Sequence, residues 1–223
     1  MNEAERLAEL ELAENPDPRC PVILLLDTSS SMTGAKIAAL NGASPVFVRA
    51  TLADHLASRR VEVAVVTFDS AVTVAQDFTT VDQFEPPLLT AQGTTAMGAG
   101  IEKALDLLEA RKAVYRAAGT SYYRPWVLML TDGAPTDSVD RAARRVHEWE
   151  EMGKVCFFAV GVDGADFARL GQIAVRTPLK LTGLKFEDLF VWLSQSLAAI
   201  AGSVVGQQVA LPAPTGWATT ETP

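Results

Sequence analysis

Apolar runs and their spacing divide the chain into candidate strands and helices. Pro21-Val22-Ile23-Leu24-Leu25-Leu26 is unbroken, which fits a strand buried on both faces of a parallel sheet covered by helices. Val61-Glu62-Val63-Ala64-Val65-Val66-Thr67-Phe68, Trp126-Val127-Leu128-Met129-Leu130 and residues 155–160 predict further strands, and residues 175–181 a weaker last one. After the turn at Asp69-Ser70, residues 72–78 alternate between apolar and polar positions, as an antiparallel partner at a sheet edge would. Residues 79–95 read as a loop with a short helical turn. Helical spacing covers residues 35–57, through Ile37, Leu40, Val48, Leu52 and Leu56, with Pro45 predicting a kink or break. It returns over 97–117 (Ile101, Leu105, Leu108), 140–152, around 166–172, and 186–200 (Leu189, Phe190, Leu193, Leu197).

Strands alternating with helices through short loops predict an α/β fold. The expected form is a doubly wound, mostly parallel sheet with one antiparallel edge strand and helices on both faces. A length of 223 residues suits one domain. Residues 1–19 read as an acidic lead-in with some helical character, 20–202 as the domain, and 203–223 as a tail whose end is rich in Pro, Thr and Gly. Hydrophobic residues at 48% and charged residues at 21% exclude disorder as the dominant state. A net charge of −8 argues against nucleic acid or an anionic membrane as partner. No apolar run approaches the ~20 residues of a membrane span. Residues 1–14 lack the basic and apolar regions of a secretory signal. Cys20 and Cys156 cannot build a disulfide framework, which fits a reduced, cytoplasmic compartment.

In doubly wound sheets ligands bind beyond the carboxyl ends of the strands. Three loops there carry oxygen donors. Asp27-Thr28-Ser29-Ser30-Ser31 follows the first strand in a D-x-S-x-S pattern, Gly93-Thr94-Thr95 opens a helix, and Thr131-Asp132-Gly133 follows the Trp126 strand. Carboxylates and hydroxyls without Cys or His suit a hard divalent cation: Mg²⁺, with Mn²⁺ or Ca²⁺ as alternatives. Two carboxylates balance one such ion, and the neutral hydroxyls leave it able to take a carboxylate from a partner.

This constellation resembles the metal-ion-dependent adhesion site of von Willebrand factor A domains, over about residues 20–200. The resemblance implies Asp27, Ser29, Ser31, Thr95 and Asp132 as metal ligands. The family's usual Gly-Gly-Thr reads Gly93-Thr94-Thr95 here, so Thr94 stays an alternative to Thr95. Arg124-Pro125-Trp126, Thr131-Asp132-Gly133-Ala134-Pro135-Thr136-Asp137, Phe158-Ala159-Val160-Gly161-Val162 and Leu211-Pro212-Ala213-Pro214-Thr215-Gly216-Trp217 look like bacterial TerY-type proteins of the tellurite-resistance and stress-response group. That resemblance implies a cytoplasmic, non-enzymatic adaptor. Its protein partner would supply an Asp or Glu to the metal, and a kinase and a PP2C-type phosphatase would be its associates. A shift of the 186–200 helix on binding is implied by analogy.

Plainer readings exist for each feature. Ser and Thr cap helices, Asp132-Gly133 makes turns, and Asp137 and Asp163 read as caps or loop residues. His55 and His147 are isolated on helices. Ser30 to Lys36 lacks the glycines of a phosphate loop. A metal-dependent phosphohydrolase using the same cluster is the alternative function, but no base can be named for it.

Overall fold

The computed structural model describes Leu12 and residues 15–220, so most of the expected lead-in lies outside the described residues. Strands β1 (Cys20–Asp27), β2 (Val61–Phe68), β3 (Val72–Thr80), β4 (Trp126–Thr131), β5 (Cys156–Gly161), β6 (Leu179–Leu181) and β7 (Ala218–Thr220) form one sheet in the order β3-β2-β1-β4-β5-β6-β7. Pairs β1·β2, β1·β4, β4·β5 and β5·β6 are parallel. Edge strand β3 runs antiparallel to β2, as its alternating pattern predicts.

The continuous apolar strands follow from burial on both sides. Val22, Leu24 and Leu26 join one core, and Ile23 and Leu25 join the other, because successive side chains on a strand point to opposite faces. The first core packs under helices α1 (Ala35–Leu52) and α6 (Phe186–Ala201), with Leu40, Phe47, Phe190 and Leu193 buried. The second packs under α3 (Met97–Ala118), α4 (Asp140–Glu151) and α5 (Phe167–Ile173), with Ile101, Leu105, Val146 and Leu170 buried.

Two expectations are corrected. Pro45 does not break the segment into two helices, since α1 continues through it. Pro45 is exposed, so the carbonyl its missing N–H leaves unpaired can meet water. The break falls after Leu52, where the Asp54 side chain accepts from Leu56 N and Ala57 N and caps α2 (His55–Arg60). The second correction concerns the tail. Residues 218–220 pair antiparallel with β6 as a second antiparallel edge, and Trp217 is buried.

Aromatic side chains from β4, β5, α6 and the terminal segment meet in the first core. Trp126 and Phe158 stack at 4.5 Å, Trp126 and Trp192 lie 6.2 Å apart, and Trp217 lies 5.3 Å from Trp192. Trp192 Nε1 donates to Pro212 O at 2.7 Å, which pins the terminal segment across α6. Trp217→Ala is expected to lower stability by roughly 1.5–3 kcal/mol, the value of burying a large apolar side chain. Urea unfolding checks this, and a loss below about 0.5 kcal/mol would mean that the segment is not part of the core.

Candidate metal centre

β1 sits where the chain order reverses, between β2 and β4, and the crevice beyond its carboxyl end is the natural ligand position. Asp27 is the last residue of β1 and is fully buried. Its Oδ1 accepts from Ser29 N at 2.8 Å, which folds the serine loop back over the strand end. Its Oδ2 accepts from Thr131 Oγ1 at 2.5 Å, at the end of β4. Ser29 Oγ and Ser31 Oγ are 2.9 Å apart. Ser31 Oγ donates to Asp132 Oδ1 at 2.5 Å. Four of the five candidate residues are therefore linked through hydrogen bonds within a single cluster.

Thr95 closes the set from the third loop. A Cβ placed on Gly133 would lie 3.6 Å from both Ser31 Oγ and Thr95 Oγ1, so the two hydroxyls flank the same small space. Thr95 is buried, and its N–H donates to Thr136 Oγ1 at 3.1 Å. Thr94 is exposed and engaged elsewhere, its Oγ1 lying 3.2 Å from Ser70 Oγ. The loops are locked by backbone bonds: Gln92 N donates to Thr28 O, Ser30 N to Gly93 O, and Thr136 N to Thr95 O. Asp137 acts as the expected cap, accepting from Gly98 N at 3.0 Å and Ala99 N at 2.8 Å at the start of α3. A Cβ on Gly98 would meet Ser138 O at 2.3 Å, so this close approach requires glycine.

Burial pushes the Asp27 carboxyl above its ordinary value. Hydrogen bonds from Ser29 and Thr131 oppose that rise, and the charge of Asp132 adds to it. Burial also raises both thiols, Cys20 to about 12, which keeps them out of soft-metal chemistry near neutral pH. His55 and His147 are exposed on their helices.

Two members of the cluster have no signal in the D-x-S-x-S reading. Thr131 reads as the end of a buried strand. Lys36 reads as a solvated helix residue, yet its Nζ donates to Asp132 Oδ2 at 2.5 Å and to Asp163 O at 2.9 Å. A weak hint was available, because a cation in the first turn of a helix sits at the unfavourable end of the helix dipole. Such a residue calls for a partner.

The donor set fits a hard divalent cation: two buried carboxylates, three converging hydroxyls and no soft donor. Among the described residues no group of three or more His, Cys, Asp or Glu side chains gathers to hold a metal. The family model of the von Willebrand factor type A domain matches residues 22–182. The chain belongs to that family.

Solved structures share the von Willebrand A fold. Proximal thread matrix protein 1 from the mussel byssus is 19% identical with a TM-score of 0.58, the match covering 82% of this chain and 48% of that one. A further structure of that protein is described as having a zinc-occupied MIDAS motif. VWA2, the ArnB paralog from Sulfolobus acidocaldarius, is 16% identical with a TM-score of 0.55, over 80% and 45% of the two chains. The pilus adhesin SpaC from Lactobacillus rhamnosus GG is 13% identical with a TM-score of 0.65, over 82% and 30%. This chain thus spans half or less of the length of each. No curated protein matches it. No helix among the described residues is long and apolar enough to cross a membrane.

Proposed function

We propose that this von Willebrand A domain is a metal-dependent docking module that binds a protein partner through an Asp or Glu side chain. The observation that carries the reading is the joining of Asp27, Ser29, Ser31 and Asp132 in one hydrogen-bonded cluster, with the Thr95 hydroxyl across Gly133. These five residues are the proposed ligands. Mg²⁺ is the proposed ion, with Mn²⁺ or Ca²⁺ as substitutes, because all the donors are hard oxygens. Bound there, the ion supplies a Lewis-acid centre for a carboxylate oxygen. The chain does the rest: Ser29 N and Thr131 Oγ1 hold Asp27 in orientation, Ser31 orients Asp132, and the backbone bonds fix the three loops.

The role is binding rather than catalysis. The neighbours described as adhesin and thread matrix protein agree with that. The TerY-like segments support a place in a bacterial tellurite-resistance or stress-response system, in the cytoplasm, beside a kinase and a PP2C-type phosphatase. The test is selection of random displayed peptides on the immobilised protein in Mg²⁺, with elution by EDTA. Asp- or Glu-containing peptides should be enriched on the wild type and lost on Asp132→Ala. Binders that lack a carboxylate and survive EDTA would overturn the reading.

A further inference from the structure

Asp132 is the only proposed ligand whose carboxylate already has a cation. Its side chain is wholly buried, with Oδ1 taken by Ser31 and Oδ2 by the Lys36 ammonium at 2.5 Å. The second bond of Lys36, to Asp163 O, fixes the ammonium from the other side. Lys36 is the second residue of α1, where the helix dipole disfavours positive charge, so the pair with Asp132 is what holds it.

The charges have a simple consequence. Asp27, Asp132 and Lys36 sum to −1. A divalent cation brings the site to +1, and one partner carboxylate then brings it to zero. Without Lys36 the same states would be −2, 0 and −1. A fixed ammonium therefore weakens attraction for the metal and leaves the loaded site one positive charge that an incoming carboxylate can satisfy.

We propose that Lys36 is a resident competitor cation. It holds Asp132 in place without metal, lowers the intrinsic affinity for a divalent ion, and biases the loaded site towards an anionic partner group. This rests on the metal-dependent reading above. The test is calorimetric titration of the full chain with Mg²⁺ or Mn²⁺ alone, for wild type, Lys36→Met, Lys36→Gln and Lys36→Arg. The neutral variants should bind metal at least about tenfold more tightly, the scale on which one nearby unit charge shifts an ionic equilibrium. Lys36→Arg keeps the charge and should match wild type.

Thermal unfolding gives a second readout. In EDTA the neutral variants should melt below wild type, because the buried Asp132 carboxylate loses its cation, and Mg²⁺ should raise their midpoints by more than it raises that of wild type. Lys36→Gln keeps hydrogen-bond donors, so it carries the test if Lys36→Met fails to fold. Equal or weaker metal binding by the neutral variants, with wild type binding normally, would overturn the competitor role and leave the metal site standing. Binding by the neutral variants alone would support competition in its strongest form. No binding by any of the four would overturn the metal-dependent reading and the competitor role with it.

Discussion

Glu62→Ala is expected to lower stability by roughly 3–5 kcal/mol. For a chain of this size that is about 6–20 °C in Tm. Glu62 is the second residue of β2 and is buried at 1% exposure. Its carboxylate pairs ionically with Arg19, whose Nε lies 3.0 Å away, and accepts hydrogen bonds from Arg111 Nε at 2.8 Å and from the Tyr115 hydroxyl. Arg19 and Arg111 are buried too, so removing the carboxylate takes away the negative charge that pairs with both. Arg19 keeps carbonyl acceptors at Asn15, Asp17 and Arg59, whereas among the described residues Arg111 keeps the Tyr115 hydroxyl and the faces of the Phe78 and Tyr115 rings. The burden therefore falls mainly on Arg111. Glu62→Gln, which preserves an acceptor, should lose less, and Glu62→Ala combined with Arg111→Met should recover part of the loss, because the second change removes one stranded charge. Burial and the Glu62 charge raise the Tyr115 phenol, so it stays a donor throughout the accessible pH range. Urea unfolding of the single and double variants decides the matter. A loss under about 1 kcal/mol would show that the arginines find other partners.

That cluster also marks a limit of the sequence. Glu62 reads there as one polar position in an apolar strand, and its partners lie 43 to 53 positions away in Arg19, Arg111 and Tyr115. β1, β4 and β5 were legible because burial on both faces forces unbroken apolar runs. Asp27 and Asp132 were legible because they stand directly after such runs, where a doubly wound sheet exposes strand ends to ligand. Residues that act through long-range pairs were not. Thr131 reaches Asp27 across 104 positions and Lys36 reaches Asp132 across 96, and neither contact leaves a local pattern. β7 was hidden for another reason. Three residues with one half-buried side chain, in a Pro- and Thr-rich stretch, look like solvated chain. The evidence for order lay in Trp217, whose burial is a tertiary fact. No break follows from Pro45, which sits at an exposed position of α1 while the helix runs on to Leu52.

Adding 10 mM Mg²⁺ in place of EDTA is expected to raise the Tm of the wild-type chain by about 3–6 °C, for a Kd of order 1 mM: linkage gives about 1.4 kcal/mol, spread over ~2–4 °C per kcal/mol. Asp132→Ala and Thr95→Ala should abolish the rise. Thr94→Ala should keep it, since Thr94 bonds to Ser70 and not to the cluster. Asp27→Asn should separate charge from shape. The folded Asp27 carboxyl titrates above its ordinary value of 3.8, so the native state holds this proton more tightly than the unfolded chain does. Its contribution is therefore fully present below the unfolded value and is lost as pH rises through the raised one, leaving the ionised, buried carboxylate a burden at neutral pH. Asparagine keeps an acceptor for Ser29 N and removes that burden. Asp27→Asn should melt above wild type in EDTA at pH 7 and show no response to Mg²⁺. A variant that melts well below wild type in EDTA would mean that the hydrogen bonds from Ser29 and Thr131 outweigh the desolvation of the charge. A Mg²⁺ response retained by Asp27→Asn, Thr95→Ala and Asp132→Ala alike would move the ion away from this cluster altogether.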